Sequence, residues 1–338
     1  MNMALYPWLV PYYQQLMQTL QQGMLPHTLL FRSDQGLGTE QLVEALAHRL
    51  LCTQAQGDEP CGQCHSCHLF SAGNHPDYAR LASIENKDIG VEQVREINEK
   101  VTQHAQQNGN KVVVISGAER LTEAAANALL KTLEEPRPNT YFLLQVDVAA
   151  SLLATIHSRC QCWLINTPPQ AEAMAWLQGQ SAQEISEIQT ALLVSYGRPL
   201  AALTMLTQGL LAKRKDFLRQ FWMFYVRRSP LELLPYFENE LIFQQLDWLA
   251  GFLSDALKAK LGIRQGWICQ DLVRGIEQFN QKQTALGLLR ANQIISQVRS
   301  DLLQINGVNQ ELMLLDGLTK LVTEVFEENN KQDFFRCL

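Results

Sequence analysis

Residues 27–52 read HTLLFRSDQGLGTEQLVEALAHRLLC, and this stretch decides the fold of the N-terminal part of the chain. An apolar run is followed by a loop with two glycines, Gly36 and Gly38, and then by apolar residues at helical spacing. This order predicts a strand, a tight turn and a helix, which is the setting of a phosphate-binding loop. A working loop of that kind ends in Gly-Lys-Ser/Thr, whereas this one has Thr39 and Glu40. The stretch therefore predicts a strand-to-helix turn without the groups that hold a phosphate.

Three more apolar runs predict further strands: KVVVIS at 111–116, YFLLQ at 141–145 and CWLI at 162–165. Helical periodicity separates these runs, as in the amphipathic segment 91–101 and in the helix for which Thr122 is the expected N-cap. Strands that alternate with helices predict an α/β fold with a parallel sheet.

The strand pattern ends near residue 166. Short helical segments punctuated by Gly197 and Gly209 follow, and from about residue 208 the sequence predicts only helices. The 338 residues suffice for two or three domains, and 46% hydrophobic with 18% charged residues describe an ordered globular chain. We therefore expect an α/β part followed by an all-helical part.

The charge balance argues against a protein that binds duplex DNA tightly by itself. The formal net charge is -6, and neutralising DNA phosphates requires a local excess of Lys and Arg. The sequence contains no apolar run of about 18 residues, so it predicts no membrane span. The N-terminal residues lack the pattern of a secretion signal. We therefore expect a cytoplasmic protein, in which closely spaced cysteines bind metal rather than form disulfides.

Four cysteines follow the first predicted helix with the spacing C-x8-C-x2-C-x2-C: Cys52, Cys61, Cys64 and Cys67. Four thiolates can close a tetrahedron around Zn²⁺ and leave no position for water, so the predicted role of the zinc is structural. The neighbouring His65 and His68 could replace a cysteine, but the four thiols suffice. An iron–sulfur cluster is the alternative, because C-x2-C-x2-C also occurs in ferredoxins. A colourless protein with about one zinc would exclude it.

The end of the 111–116 run also lacks catalytic groups. An ATPase has acidic residues here that hold Mg²⁺ and orient water, whereas this chain has Ser116, Gly117 and Ala118, followed by Glu119. Glu119 could act as a displaced carboxylate, but a Glu at the start of a helix is more commonly exposed and offsets the helix dipole. The phosphate loop and the strand end are therefore altered together.

Two motifs resemble those of a known family: NALLKTLEEP at 127–136 and the triplet Ser158-Arg159-Cys160. Both are similar to motifs of the bacterial clamp-loader subunits of DNA polymerase III, which are AAA+ proteins. YPWL at 6–9, HPDY at 75–78 and the segment 91–101 also match, so the resemblance covers most of the first 165 residues and, more faintly, the rest. The cysteine insertion is shared with the ATP-hydrolysing subunits, whereas the altered loop resembles the non-hydrolysing partner.

The resemblance implies an α/β parallel-sheet AAA+ nucleotide-binding-like domain at 1–165, with a zinc module at about 52–67. A small helical lid at 166–207 and an all-α collar for oligomerisation at 208–338 would follow. It also implies a heteropentameric ring with ATPase subunits of the gamma/tau type and a delta subunit. The sliding clamp and primed DNA are reached through that complex, and no membrane is involved.

In this family the Arg of the Ser-Arg-Cys motif reaches into the ATP site of a neighbouring subunit, so Arg159 is the implied arginine finger. The expected function is a non-hydrolysing subunit that braces the ring during sliding-clamp loading, in the cytoplasmic replisome. No intrinsic ATPase activity is expected of this part of the polymerase holoenzyme. The degenerate loop residues are expected to bind no cofactor: Gly36, Gly38, Thr39 and Glu40.

Two nucleotide-sensing positions of the family are also altered. The polar sensor after the YFLLQ strand falls on Val146, and the sensor Arg of the lid aligns with Leu200, although Arg198 is nearby. If Arg198 reaches the pocket, nucleotide could bind without being hydrolysed. An empty site and a non-hydrolysing site therefore stay separate alternatives.

Two other functions stay open. The first is a catalytically active clamp-loader-type ATPase, which predicts steady ATP turnover by the isolated chain. The second is a zinc-dependent DNA-binding module, which predicts DNA affinity that falls steeply with salt.

The aromatic run FWMFY at 221–225 could stack on bases, but consecutive aromatic residues on a helix point in several directions, which favours core packing. The basic runs at 213–215 and 227–228 are interpreted as solvated helix faces. The cysteines outside the cluster are interpreted as core or incidental residues: Cys160, Cys162, Cys269 and Cys337.

Overall fold

The computed structural model of the chain describes residues 5–83, 88–304 and 309–326. The chain divides into two compact units, Met1–Glu172 and Ala173–Leu338. The strands of the first unit are β1 Thr28–Ser33, β2 Tyr78–Ala82, β3 Lys111–Ser116, β4 Thr140–Asp147 and β5 Gln161–Ile165. They form one parallel sheet in the order β2-β3-β4-β1-β5. The predicted parallel α/β fold is confirmed, and β2 is a strand that the sequence patterns did not predict.

The helices of the first unit connect these strands. They are α1 Val10–Gln21, α2 Thr39–Leu51, α3 His65–Ser71, α4 Val91–Thr102, α5 Glu123–Glu134 and α6 Ala154–His157. The hydroxyl of Thr122 accepts a hydrogen bond from the backbone N–H of Ala125 at 3.2 Å, which confirms the predicted N-cap of α5.

The central strands are apolar because both of their faces are covered. Leu29, Leu30 and Phe31 of β1 are fully buried, as parallel strands between two helical layers require. On one face, α4 and α5 pack against the sheet through residues at helical spacing, such as Leu129 and Leu133 of α5. The sheet therefore holds the ends of β1, β3 and β4 in a fixed arrangement at one edge of the unit.

The second unit contains helices only within the part of the chain that is described. They are α7 Gln170–Gln180, α8 Ile185–Val194, α9 Pro199–Thr207, α10 Leu210–Arg227, α11 Ile242–Lys260, α12 Val273–Asn280, α13 Ala285–Gln304 and α14 Gln310–Lys320. A π-helical turn, Leu321–Phe326, follows α14. One continuous hydrophobic core extends from Ala173 to Phe326. The division of this unit into a lid and a collar at 207/208 stays a prediction.

The aromatic run on α10 lies in this core. Phe221 and Phe224 are almost completely buried, and Phe221 contacts Phe252 and Phe279 with ring centroids about 6 Å apart. These contacts confirm core packing for this part of the run. None of the helices in the described residues is long and apolar enough to cross a bilayer.

The interpretation of the basic runs as solvated faces is wrong at two positions. Arg214 is completely buried and donates two hydrogen bonds from Nη1 to the carboxylate of Asp271, at 2.9 and 3.1 Å. The guanidinium of Arg228 lies over the rings of Tyr225 and Phe326. Both cations serve tertiary packing, which a short run of basic letters does not reveal.

The cysteines outside the cluster differ in their environment. Cys269 is buried, Cys160 is half-buried and Cys162 is exposed, so the interpretation as core or incidental residues holds for these three. Cys337 lies outside the described residues.

Candidate functional site

The four cysteines of the predicted metal module come together at the end of α2. Their Sγ atoms all lie within 4.8 Å of one another. The Sγ of Cys52 is 3.5 Å from that of Cys61 and 3.9 Å from that of Cys64, and the Sγ atoms of Cys61 and Cys67 are 3.9 Å apart. A zinc ion with Zn–S bonds of about 2.3 Å requires tetrahedral edges of about 3.8 Å. The thiols therefore fit a single tetrahedral ion, whereas a cluster of several irons requires a wider spacing.

Backbone N–H groups support the negative charge of these sulfurs. The N–H of Cys61 donates to the Sγ of Cys52, that of Cys64 to Cys61, and that of Cys67 to Cys64, at 3.3–3.4 Å. Cys64 is also the N-cap of α3. Burial raises the pKa of the Cys64 thiol, but hydrogen bonds from the Cys67 N–H and from Thr53 outweigh it and lower the pKa to about 6. Backbone N–H groups also lower the pKa of Cys61, whereas burial raises the pKa of Cys52 and that of Cys67. The backbone therefore favours the thiolate form at two of the four sulfurs.

The cysteine loop is fastened to the first two helices. The hydroxyl of Tyr13 donates to the carbonyl of Asp58 at 2.7 Å, and the guanidinium of Arg49 donates twice to the carbonyl of Gly57. Neither His65 nor His68 belongs to the group of four potential ligands in the described structure. The arrangement is a closed site without an open position for a substrate, which is typical of structural metal centres.

The opposite end of α2 carries the altered phosphate loop. Gly36 and Gly38 have φ values of 87° and 74°, so the turn uses the left-handed conformations that glycine allows, and Gly38 is the N-cap of α2. The side chain of Thr39 is buried, and its hydroxyl has no hydrogen-bond partner among the described residues, whereas Glu40 is exposed. The indole N–H of Trp8 donates to the carbonyl of Leu37 at 2.8 Å. The loop is therefore held by the chain's own N-terminal residues and contains no ammonium group.

The ends of β3 and β4 lie beside this loop in the sheet. The hydroxyl of Ser116 donates to the side-chain carbonyl of Gln145 at 2.7 Å, and Val146 is buried. Glu119 is half-buried, which corrects the expectation of an exposed, solvated carboxylate. Burial, and to a smaller extent the charge of Asp147, raise the pKa of Glu119. Polar groups thus remain at this edge, but the residues at the end of β3 itself carry no carboxylate.

Arg159 follows α6 at the entrance to β5, where its guanidinium binds groups of its own chain. Its Nε donates to Oε1 of Glu134 at 2.6 Å, and Nη2 contacts the same carboxylate oxygen. Its Nη1 donates to the carbonyl of Thr155 at 2.7 Å and to the hydroxyl of Ser158 at 3.3 Å. The side chain of Arg159 is 30% exposed and that of Glu134 is 47% exposed. The arginine is therefore positioned at the surface rather than built into the core.

The predicted sensor region of the second unit forms local contacts. The Nε of Arg198 donates to the carbonyl of Ser195 at 2.8 Å, and its guanidinium lies near the ring of Tyr196. Leu200 is half-buried in the first turn of α9. The question of whether Arg198 contacts a nucleotide stays a prediction.

Two family models match the chain. The one described as DNA polymerase III, delta subunit matches residues 10–169, and the one described as DNA polymerase III, delta subunit, C terminal matches residues 208–323. The DNA polymerase III subunit delta' of Haemophilus influenzae is 64% identical over 324 residues, which cover 96% of this chain and 99% of the relative. The chain belongs to the delta-prime family of DNA polymerase III subunits. The parallel sheet of the first unit lies entirely within the residues that the first family model matches.

A second delta-prime relative, from Escherichia coli (strain K12), is 38% identical and covers 94% of this chain and 96% of the relative. Among solved structures, a DNA polymerase III gamma subunit-related protein from Thermotoga maritima has 17% identity and a TM-score of 0.43, and the match covers 92% of this chain and 99% of that one. The delta-prime relatives therefore correspond to both units of the chain.

Two charged contacts of this delta-prime chain were not predicted from its sequence. Glu134 belongs to the NALLKTLEEP motif, but its contact with Arg159 joins residues 25 positions apart. The buried pair of Arg214 and Asp271 joins residues 57 positions apart. Helical or strand periodicity carries no signal for such long-range pairs.

Proposed function

We propose that this delta-prime chain is a non-hydrolysing subunit of the clamp loader and that it supplies Arg159 to the ATP site of a neighbouring subunit. Its partners would be ATPase subunits of the gamma/tau type and a delta subunit in a pentameric ring, which loads the sliding clamp onto primed DNA in the cytoplasm. The observation that carries this proposal is the combination of a phosphate loop without an ammonium group and a partly exposed Arg159 in the Ser-Arg-Cys motif.

The chemistry of the two sites supports this division of labour. Thr39 and Glu40 offer neither a cation for the β- and γ-phosphates nor a correctly placed hydroxyl for Mg²⁺, and the end of β3 offers no carboxylate for the metal or for water. A guanidinium is planar and permanently charged, so it stabilises the charge that develops on a transferred phosphoryl group. The chain is therefore suited to act on ATP that another subunit binds.

We also propose that the cysteine cluster holds one structural Zn²⁺ through Cys52, Cys61, Cys64 and Cys67. The spacing of the sulfurs supports this ligand set. Bound zinc would join the end of α2 to the start of α3 and so add to the folding free energy of the module. It would take no part in ATP hydrolysis, because all four coordination positions are filled by protein.

The test of the finger is Arg159→Ala in a complex reconstituted with its ATPase and delta subunits. Turnover at the one ATP site that receives Arg159 should fall by about 10³-fold or more, because arginine fingers contribute about 10³ to 10⁵ in rate. Total phosphate release by the complex should therefore fall by the fraction that this site contributes. Size-exclusion chromatography should still show an intact ring.

The matched control is Arg80→Ala. Arg80 is also a partly exposed arginine of the first unit that pairs with a glutamate, Glu44, at 3.2 Å. Its loss should leave turnover unchanged. Unchanged turnover in the Arg159 variant would remove this residue from the mechanism, and steady phosphate release by the isolated chain would instead favour an active ATPase.

A further inference from the structure

All three nitrogens of the Arg159 guanidinium are engaged within the chain itself. Nε and Nη2 contact the carboxylate of Glu134, and Nη1 donates to the carbonyl of Thr155 and the hydroxyl of Ser158. A guanidinium recognises phosphate oxygens through pairs of parallel N–H groups. Each such pair on Arg159 includes at least one nitrogen that already contacts Glu134. Full engagement of a phosphate therefore requires Arg159 to leave this carboxylate.

Glu134 lies at a position where its charge does not stabilise its own helix. Glu134 is the last residue of α5, where the negative end of the helix dipole disfavours a carboxylate. The adjacent Glu135 is the C-cap of α5 and is exposed, and its carboxylate has no hydrogen bond or ion pair among the described residues. Arg159 is thus the counter-ion of one of two neighbouring glutamates, and its charge is partly neutralised while the contact lasts.

We infer that Glu134 is a positioning residue that holds Arg159 on its own subunit until ATP occupies the neighbouring site. On this view Arg159 exchanges the carboxylate of Glu134 for the phosphate oxygens of that ATP. The inference rests on the proposed role of Arg159 as an arginine finger. It adds that the finger has a resting partner and names the residue that supplies it.

The solvent exposure of the Glu134–Arg159 ion pair determines how strongly Glu134 can restrain the arginine. Both side chains are reached by solvent, so the contact is weak and can be exchanged readily. An exposed ion pair of this kind changes an equilibrium by about two- to five-fold. Such a restraint delays engagement of the finger without preventing it, and salt weakens it further.

The experiment compares Glu134→Gln with Glu135→Gln in the reconstituted complex. Glutamine keeps the shape of the side chain and a carbonyl acceptor but removes the charge. At low ionic strength, Glu134→Gln should lower the ATP concentration for half-maximal turnover by about two- to five-fold, and the difference should shrink as salt is added. Glu135→Gln should behave like the unmodified complex. Melting temperatures of the variant chains confirm that each is folded.

Both glutamate substitutions are also made in chains that carry Arg159→Ala. If Glu134 acts through the finger, Glu134→Gln has no effect in this background. An effect that persists there, a lower turnover with Glu134→Gln, or equal behaviour of the two glutamine variants would each overturn the inference. The proposed function fails separately, and takes the inference with it, if Arg159→Ala alone leaves turnover unchanged.

Discussion

The two ends of α2 differ in the functional side chains that they carry. At the N-terminal end, the glycine turn is preserved in shape, but Thr39 and Glu40 replace the groups that bind phosphate. At the C-terminal end, Cys52 completes a set of four thiols with the spacing of a tetrahedral ion. The helix between them is anchored by buried residues such as Leu42 and Leu46. Packing therefore maintains a helix and its turn even where the catalytic groups are absent.

The two ends of α2 depend on particular side chains for different reasons. The phosphate loop needs particular side chains only if ATP is hydrolysed there, because its backbone geometry depends on Gly36 and Gly38 and on the contact between Trp8 and Leu37. A structural metal site needs all of its ligands, since the loss of one opens the coordination shell. We therefore expect changes at the cysteine end of α2 to affect folding, and changes at the loop end to affect it less.

The largest effect is expected for Cys64→Ser. Serine preserves the N-cap of α3, because its hydroxyl can accept the N–H of Cys67 as the thiol does, so the substitution isolates the metal ligand. We expect zinc to be lost and the free energy of unfolding to fall by about 4 kcal/mol or more. Metal analysis and chemical denaturation measure the two effects.

Cys162→Ser is the control for this substitution, because Cys162 is exposed on β5 and belongs to no ligand set in the described structure. It should retain one zinc and normal stability. Full zinc content in the Cys64 variant would show that the four ligands are assigned incorrectly.

An intermediate effect is expected when the loop end is given the missing groups, in the double substitution Thr39→Lys and Glu40→Thr. Thr39 is buried, so a longer side chain should lower the free energy of unfolding by about 1–3 kcal/mol. No ATP turnover by the isolated chain should appear, because Ser116 and Gly117 at the end of β3 still supply no carboxylate.

Glu40→Thr alone is the control, since Glu40 is exposed and its replacement should alter stability little. Phosphate release is measured with Mg²⁺ and no other subunit. Turnover by the double variant would mean that the loop end lacks only these two side chains, and the contrast between the two ends of α2 would then be smaller than we argue.

The features predicted from the sequence were those with a local signal. The cysteine cluster follows from ligand spacing within sixteen residues, and the central strands follow from continuous apolar runs. The edge strand β2 was missed because it has a single buried residue, Leu81, and an exposed arginine, Arg80, in its middle. It therefore lacks the apolar run of a strand that is covered on both faces.

The features that were missed or misread depend on distant parts of the chain. The sequence motif around Glu134 resembles a family, but the contact of its carboxylate with Arg159 requires the end of α5 to meet the end of α6. Glu119 was expected to be exposed because it begins a helical turn, whereas the neighbouring ends of the sheet bury it in part. Burial of a charged group is a property of the tertiary structure, and no short pattern encodes it.

The smallest effect is expected for Glu119→Gln, which tests whether a partly buried carboxylate remains at the loop end. Burial raises the pKa of Glu119 above its ordinary value of 4.5, so the folded state binds the proton more tightly than the unfolded state does. This contribution to stability is complete below about pH 4.5 and is lost as the pH rises through the raised pKa. From acid to neutral pH, the unmodified chain should therefore lose a few tenths of a kcal/mol of unfolding free energy relative to the glutamine variant, since solvent reaches the group and weakens the effect.

Denaturation curves between pH 4 and pH 8 measure this difference. The control is Glu123→Gln, which removes an exposed carboxylate in the first turn of α5 and so corrects for the loss of one negative charge. A pH dependence equal to that of the Glu123 variant would mean that the loop end of α2 is as fully solvated as an ordinary surface.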